Sequence, residues 1–260
     1  MNTNRRKFLK VAGLSAFALT SGLSALLPDD AHAQLAPGGY GTGKNALHAK
    51  RWAMVIDTRK FRTAEDYKPL IKACHDAHNV PDIPGNKNIK WLWVDTYEHA
   101  FPDDMNEHMS DRVKSTFFPL LCNHCTNPPC VRVCPTQATY KMADGIVAMD
   151  YHRCIGCRFC MAGCPYGARS FNFYDPRRYM DEPSNPRFPT RMIGVVEKCT
   201  FCAERLAQGM MPACVEASNG KILFGDLNDP SSPVRRALAE NYSIRRKPNL
   251  GTQPGVYYLI

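Results

Sequence analysis

The pattern over Arg51–Thr58 (RWAMVIDT), an apolar run between polar ends, alternates enough to predict a strand. The following AEDYKPLIKACHDAHNV predicts a helix around Pro69 that ends with Cys74. KWLWVDTY (Lys90–Tyr97) predicts a second strand, with Trp91 and Trp93 on one face as packing residues. ATYKMADGIVAM predicts a β-hairpin turning at Asp144-Gly145. RSFNFYD (Arg169–Asp175) predicts another strand, and the Pro-rich span 176–190 a loop. GVVEKCTFCAERLAQG carries Cys199 and Cys202 into a helix, and Asn219-Gly220 precedes a strand in KILFGDL. From Lys247 to Ile260, Pro, Gly and a terminal apolar run predict an extended arm lying on a partner or neighbouring domain.

The amino end has a different pattern. TNRRKFLK (Thr3–Lys10) holds a twin arginine, Val11 to Leu27 is an apolar stretch, and Ala31-His32-Ala33 is an A-x-A cleavage site. Residues 1–33 therefore predict a twin-arginine signal peptide, which exports a protein already folded around its cofactor. That places the protein in the periplasm. The apolar stretch is interrupted by Gly13, Ser15, Thr20, Ser21, Gly22 and Ser24 and falls below the ~20-residue membrane span. It is either cut or kept as an anchor. Residues 34–49 form a Gly-rich leader.

The chemistry lies in the twelve cysteines. Cys154, Cys157, Cys160 and Cys164, followed by Pro165, have the C-x2-C-x2-C-x3-C-P spacing that holds iron–sulfur cubanes, the fourth cysteine crossing to the neighbouring cluster. Cys122, Cys125, Cys130, Cys134 and Pro135 repeat the layout with two more residues before the third cysteine. Reciprocal pairing gives set A (Cys122, Cys125, Cys130, Cys164) and set B (Cys154, Cys157, Cys160, Cys134). Zinc takes well-separated C-x2-C pairs and disulfides do not require this spacing, so both are the weaker alternatives.

Four cysteines remain. Cys199-x2-Cys202-x11-Cys214 is a three-ligand run, and Ser218 stands where a fourth cysteine is expected. Reading back from Cys74 with the same spacing meets Leu70, Tyr67 and Ala64. The outer motifs thus keep one complete set, C (Cys199, Cys202, Cys214, Cys74), and lack the reciprocal one. Three [4Fe–4S] clusters use every cysteine, with their iron as the only metal.

Net charge is +9, of which Arg5, Arg6, Lys7 and Lys10 against Asp29 and Asp30 belong to residues 1–33, leaving +7 beyond them. Alone this would suggest nucleic acid, but each oxidised cubane with its thiolates carries roughly −2, and three cancel most of the excess. Mean hydropathy of −0.36 argues against a membrane bundle. There is no C-x-x-C-H for covalent haem, no phosphate loop, and no paired-carboxylate or Ser/His/Asp arrangement. His75 and His78 lie one helical turn apart and suit a surface or supporting role. His124 sits inside the first motif, where tuning a cluster by hydrogen bonding is the weaker of its readings.

RWAMVID, CNHCTNPPCVRVCP, DYHRCIGCRFCMAGCPYGARSF, FPTRMIGVVEKCTFCAERL and RRKPNLGTQPGVYYLI together resemble the four-cluster ferredoxin-type subunits of respiratory oxidoreductases. Within that group the chain is most similar to the periplasmic iron–sulfur (DsrO-like) subunits of Dsr membrane complexes associated with sulfite reduction. The departures are Ala64, Tyr67, Leu70 and Ser218. The resemblance implies an electron-transfer subunit without a substrate site, in sulfur metabolism. It also implies docking, together with a cytochrome c subunit, on a quinone-interacting integral membrane subunit. The alternative is the iron–sulfur subunit of a molybdenum-containing reductase or of a hydrogenase.

The expected fold is α+β, with two nested bacterial ferredoxin-like modules. Residues 116–190 form the inner module with two clusters; 50–115 and 191–225 form the outer module with one; 226–260 are the C-terminal arm.

Overall fold

From the amino end, the chain builds strand β1 (Trp52–Asp57), helix α1 (Lys68–His78), strands β2 (Leu92–Thr96) and β3 (Phe117–Leu121) with single-turn helices Tyr97–Ala100 and Asp111–Lys114 between them, and helix α2 (Pro129–Arg132). A hairpin β4 (Thr139–Lys141) and β5 (Val147–Met149), helix α3 (Phe159–Ala162), and strands β6 (Ser170–Phe171) and β7 (Val196–Glu197) follow. Helices α4 (Ala203–Leu206) and α5 (Ala213–Ala217), strand β8 (Ile222–Asp226), helix α6 (Pro233–Glu240), and strands β9 (Ser243–Ile244) and β10 (Val256–Leu259) complete it. This is a computed structural model, which describes residues 43–180, 183 and 185–260. The signal segment and most of the leader expected from sequence lie outside the described residues. No helix among the described residues is long and apolar enough to cross a membrane.

β1 is the axis of the main sheet, ordered β8-β1-β10-β9, with β8 antiparallel and β10 parallel to it. Trp52–Ile56 are apolar without a break, so side chains that alternate between the two faces bury both. Trp52, Met54 and Ile56 join Phe224, Val256 and Tyr258 in the large core, while Ala53 and Val55 pack with Leu259 under Val234 and Ala237 of α6. α6 was not anticipated, although Ser232 caps it, its hydroxyl accepting from Arg235 N–H at 3.3 Å, with Pro233 at the first position.

Of the two placements expected for the tail, it takes the one on this chain: β10 is an interior strand of the main sheet, with Met54 opposite Val256 and Asp57 opposite Leu259. Upstream of it the tail crosses the first cysteine motif. Gly255 N–H donates to the Asn123 carbonyl (2.7 Å), and Thr126 and Asn127 N–H donate to Gln253 and Thr252 carbonyls (3.0 Å each).

Other boundaries shift for local reasons. α1 continues past Cys74 to His78 and stops where Asn79 turns left-handed (φ 49°). Only Ser170–Phe171 of the expected strand 169–175 pair, because β7 offers two partners, Glu197 and Val196. The hairpin does turn at Asp144-Gly145, with Gly145 at φ 85°. Trp91 precedes β2 and is fully buried, its Nε1–H donating to Glu197 (3.0 Å). α and β elements are mixed throughout. One core joins Trp52 and Leu70 of the expected outer module to Cys122, Ile146 and Tyr166 of the inner one.

Candidate metal centres

Each C-x2-C loop adopts the same turn. The residue before the second cysteine is left-handed in all three: His124 (φ 40°), Gly156 (φ 70°) and Phe201 (φ 53°). For His124 and Phe201 this conformation is unfavourable, and residues held so cluster at ligand sites. The turn curls successive backbone N–H groups inward, a geometry that suits an anionic thiolate-bound group. The inner motifs match further. Cys134-Pro and Cys164-Pro are each followed, three residues past the cysteine, by a left-handed residue, Gln137 (φ 54°) and Gly167 (φ 63°).

Set A converges. Cys122 at the end of β3, Cys125 in the loop, Cys130 on α2 and Cys164 after α3 line one cavity, with Val147, Tyr166 and Arg169. Burial, and then the Cys122 thiol, pushes Cys125 up to about 12, and the same two causes raise Cys164. The tail forms the lid, with the Tyr166 and Thr252 hydroxyls hydrogen-bonded at 2.5 Å. Set B lies where α2 and α3 pack. Cys160 is buried in a small core with Cys134 and Cys154 at its edge, and Cys157 is exposed. Burial raises the Cys134 thiol most, but backbone N–H groups of Thr139, Thr136 and Ala138 and the Thr136 hydroxyl hold it below its ordinary value.

Set C is wholly buried. Cys74 sits on α1, Cys214 on α5, which packs against α1, and Cys199 and Cys202 on the turn into α4. Burial raises Cys74 and Cys202 far above a free thiol, with Cys199 and Cys214 adding to both. Several side chains hold this set, and of these sequence reasoning gave only His78 a surface or supporting role. His78 bonds the Cys74 carbonyl through Nδ1 (2.7 Å) and Glu204 through Nε2 (2.8 Å). A carbonyl only accepts, so Nδ1 carries the proton there. His78, Cys202 and Glu204 converge within 4.8 Å. With both ring nitrogens occupied, they brace set C rather than form another metal site. Arg191 and Glu197 form a fully buried pair (2.7 Å), and Arg191 also binds the His78 and Asn79 carbonyls at the end of α1. His124 is buried, stacks on Phe201 at 3.7 Å, and its Nδ1 accepts from Val147 N–H (3.0 Å). These contacts need a tertiary fold to exist, and no motif spacing reveals them.

The positions of the absent set are filled. Ala64–Tyr67 form a 3-10 turn leading into α1. Tyr67 stacks on Phe61 at 4.4 Å and donates to the Phe117 carbonyl (3.0 Å), and Leu70 is buried. Ser218 Oγ donates to Val215 O (2.7 Å) and accepts from Ile222 N–H (3.0 Å).

The 4Fe-4S dicluster domain family matches residues 113–175. The chain is 38% identical to the Hdr-like menaquinol oxidoreductase iron-sulfur subunit 1 of Archaeoglobus fulgidus, across 98% of this chain and 97% of that one. The chain belongs to the family of 4Fe-4S iron–sulfur subunits of oxidoreductases. It is likewise 38% identical to the menaquinone reductase iron-sulfur cluster-binding subunit of Nitratidesulfovibrio vulgaris (80% of this chain, 88% of that one). A tetrathionate reductase subunit of Salmonella typhimurium is 32% identical, over 100% of this chain and 89% of its own.

The donor sets fit such clusters. Four facing thiols in a buried site repel one another as thiolates unless a cation holds them, so proton release and metal binding go together. Set A neighbours both others: Cys130 shares the small core with Cys160 of B, while Cys122 and Cys125 share the large core with Cys74, Cys199 and Cys214 of C.

Proposed function

We propose that this chain is an electron-transfer subunit holding three [4Fe–4S] clusters in the row B–A–C, without a substrate site of its own. The observation that carries this reading is the contiguity of the three cysteine sets, with A between B and C. Cys154, Cys157, Cys160 and Cys134 would hold one cluster, Cys122, Cys125, Cys130 and Cys164 the second, and Cys199, Cys202, Cys214 and Cys74 the third. When bound, such clusters supply one-electron redox chemistry. The protein excludes water from set C and lids set A with its own tail. At set B it leaves Cys157 at the surface beside exposed Ile155, Phe159 and Ile193. The loops of Gly156 and Gly194 touch, for a side chain on Gly156 would run into the Gly194 carbonyl, so these apolar groups form one patch around the exposed end. That patch is where a redox partner would reach the row. The other end stops at set C, because Phe61, Tyr67, Leu70 and Ser218 occupy the place of a fourth.

The partners we assign are a quinone-interacting integral membrane subunit and a cytochrome c subunit, on the periplasmic side of the inner membrane after twin-arginine export. The relatives named for menaquinol and menaquinone chemistry support the quinone partner. The finer placement, in a Dsr complex of sulfite metabolism, rests on the tail and leader sequences. Likeness to the tetrathionate reductase subunit favours a second reading, the electron-transfer subunit of a molybdenum-containing reductase.

Anaerobically purified protein should contain about twelve iron and twelve sulfide per chain from three cubanes. About sixteen would overturn the count. In the intact membrane complex a quinol analogue should reduce the clusters. Clusters that stay oxidised with quinol but reduce with a copurifying molybdenum enzyme would select the second reading.

A further inference from the structure

Arg169 is only 5% exposed, yet among the described residues it makes no ion pair with a carboxylate. Nη1 donates to the Thr139 hydroxyl (3.0 Å) and lies 3.7 Å from the Met149 sulfur, while Nη2 has no hydrogen-bond partner. A buried cation without a counter-charge is strongly destabilising. Of the other buried guanidinium groups near the centres, Arg191 has Glu197 at 2.7 Å, and Arg246 donates to the Ala100 and Tyr166 carbonyls at 3.0 and 3.2 Å. Arg169 instead lines the set A cavity, and its Nη1 lies against Met149 of the small core that holds Cys130 of set A and Cys160 of set B. A guanidinium stays protonated in proteins, so the group enters the site as a fixed cation.

We propose that Arg169 is the shared counter-charge and hydrogen-bond donor of the two inner clusters and sets their reduction potentials together, an inference that rests on the three-cluster reading. Its fork is wide enough to address both sites, and Thr139 on the hairpin fixes its direction. Each cluster takes up one electron and no proton. The site becomes more negative, a fixed cation stabilises that state, and the potential rises, since net charge and hydrogen bonds to sulfur are what tune such centres.

The test is an EPR-monitored redox titration of the full-length, cluster-loaded protein. Cys74→Ser identifies the outer signal by its loss. In Arg169→Met, both inner clusters should become harder to reduce, the reduced-to-oxidised ratio at fixed ambient potential falling at least tenfold, about 59 mV for a one-electron couple. The outer cluster should not move. Unchanged inner potentials, or an equal shift of all three, would overturn the proposal. If Arg169→Met takes up no clusters, Arg169→Lys carries the test. Its single ammonium reaches one site at a time, so one inner potential should hold and the other fall; two wild-type potentials would overturn the proposal. Wild-type protein with no clusters would fail the parent reading instead, and iron analysis separates the two failures.

Discussion

The inner and outer pairs of motifs show what a cysteine run does to a backbone. In the inner pair both halves are loops. His124 and Gly156 turn left-handed, Cys130 and Cys160 sit on single-turn helices, and each terminal Cys-Pro leads into another left-handed residue. In the outer pair only the Cys199–Cys214 half keeps that form. Its counterpart, Ala64–Leu70, is a 3-10 turn running into α1, begun where Asp66 accepts from Arg62 and Thr63 N–H (2.7 and 3.0 Å) and continued by Pro69 in the first turn. Without thiols to bind an inorganic core, backbone N–H groups return to helical bonding, and an aromatic stack fills the space. A cluster site is a loop stabilised by its ligand, and the helix is what remains without one.

The sharpest way to break this contrast is to remove a ligand from each region. Cys130→Ala, in the middle of the row, should lose the set A cluster, interrupt electron passage between B and C, and greatly reduce the yield of folded protein, because Cys122 and Cys125 belong to the main core. Cys74→Ser should lose only set C, taking iron from about twelve to about eight per chain. Loss of the inner EPR signals in Cys74→Ser would show that the sets depend on one another.

Next in size is Glu197→Gln. Glu197 takes Trp91 Nε1–H, Asn172 Nδ2–H and the Arg191 guanidinium, all buried, and so ties β7 to the carboxyl end of α1. Removing one member of a buried pair costs about 3–5 kcal/mol. Denaturant unfolding should show that loss, with the set C signal fading before the inner pair. Equal fading would mean that the clamp serves the whole core.

Sequence made the cysteine sets legible because ligand spacing is local chemistry, and the Asp144-Gly145 hairpin legible because a turn is local geometry. The end of α6 that Ser232 and Pro233 announce was equally readable and was missed. β10 was a different matter. Its apolar pattern is plain, but the choice between a partner's surface and Met54–Asp57, some two hundred residues away, is made by topology. Arg169, at the start of an expected strand, and Arg191 carry no sign of their role until the fold buries them, and His78 reads only as a surface or supporting residue. The expected strand 169–175 shortened because strand length is set by the partner available.

Tyr67→Ala tests the filled half alone. Emptying the stack on Phe61 should cost about 3 kcal/mol, near the value for other buried aromatics. Iron content and all three cluster signals should stay as in the wild type. A loss of set C iron would mean that the stack is part of that site's wall.

The smallest effect expected is at Ser218, the residue standing where a reciprocal cysteine would be. Its hydroxyl caps the end of α5 through a part-buried bond and receives the first N–H of β8 through a buried one. Ser218→Ala leaves the Ile222 N–H unsatisfied and should cost about 1–2 kcal/mol. Because Ala64, Tyr67 and Leu70 offer no thiols, iron should remain at about twelve per chain for three cubanes. The same should hold for Ser218→Cys, since one thiol without its three partners cannot seat a cubane. If Ser218→Ala instead lost about four iron per chain with the three signals intact, Ser218 would be a ligand of a fourth cluster. The outer region would then be a modified cluster site rather than a filled one.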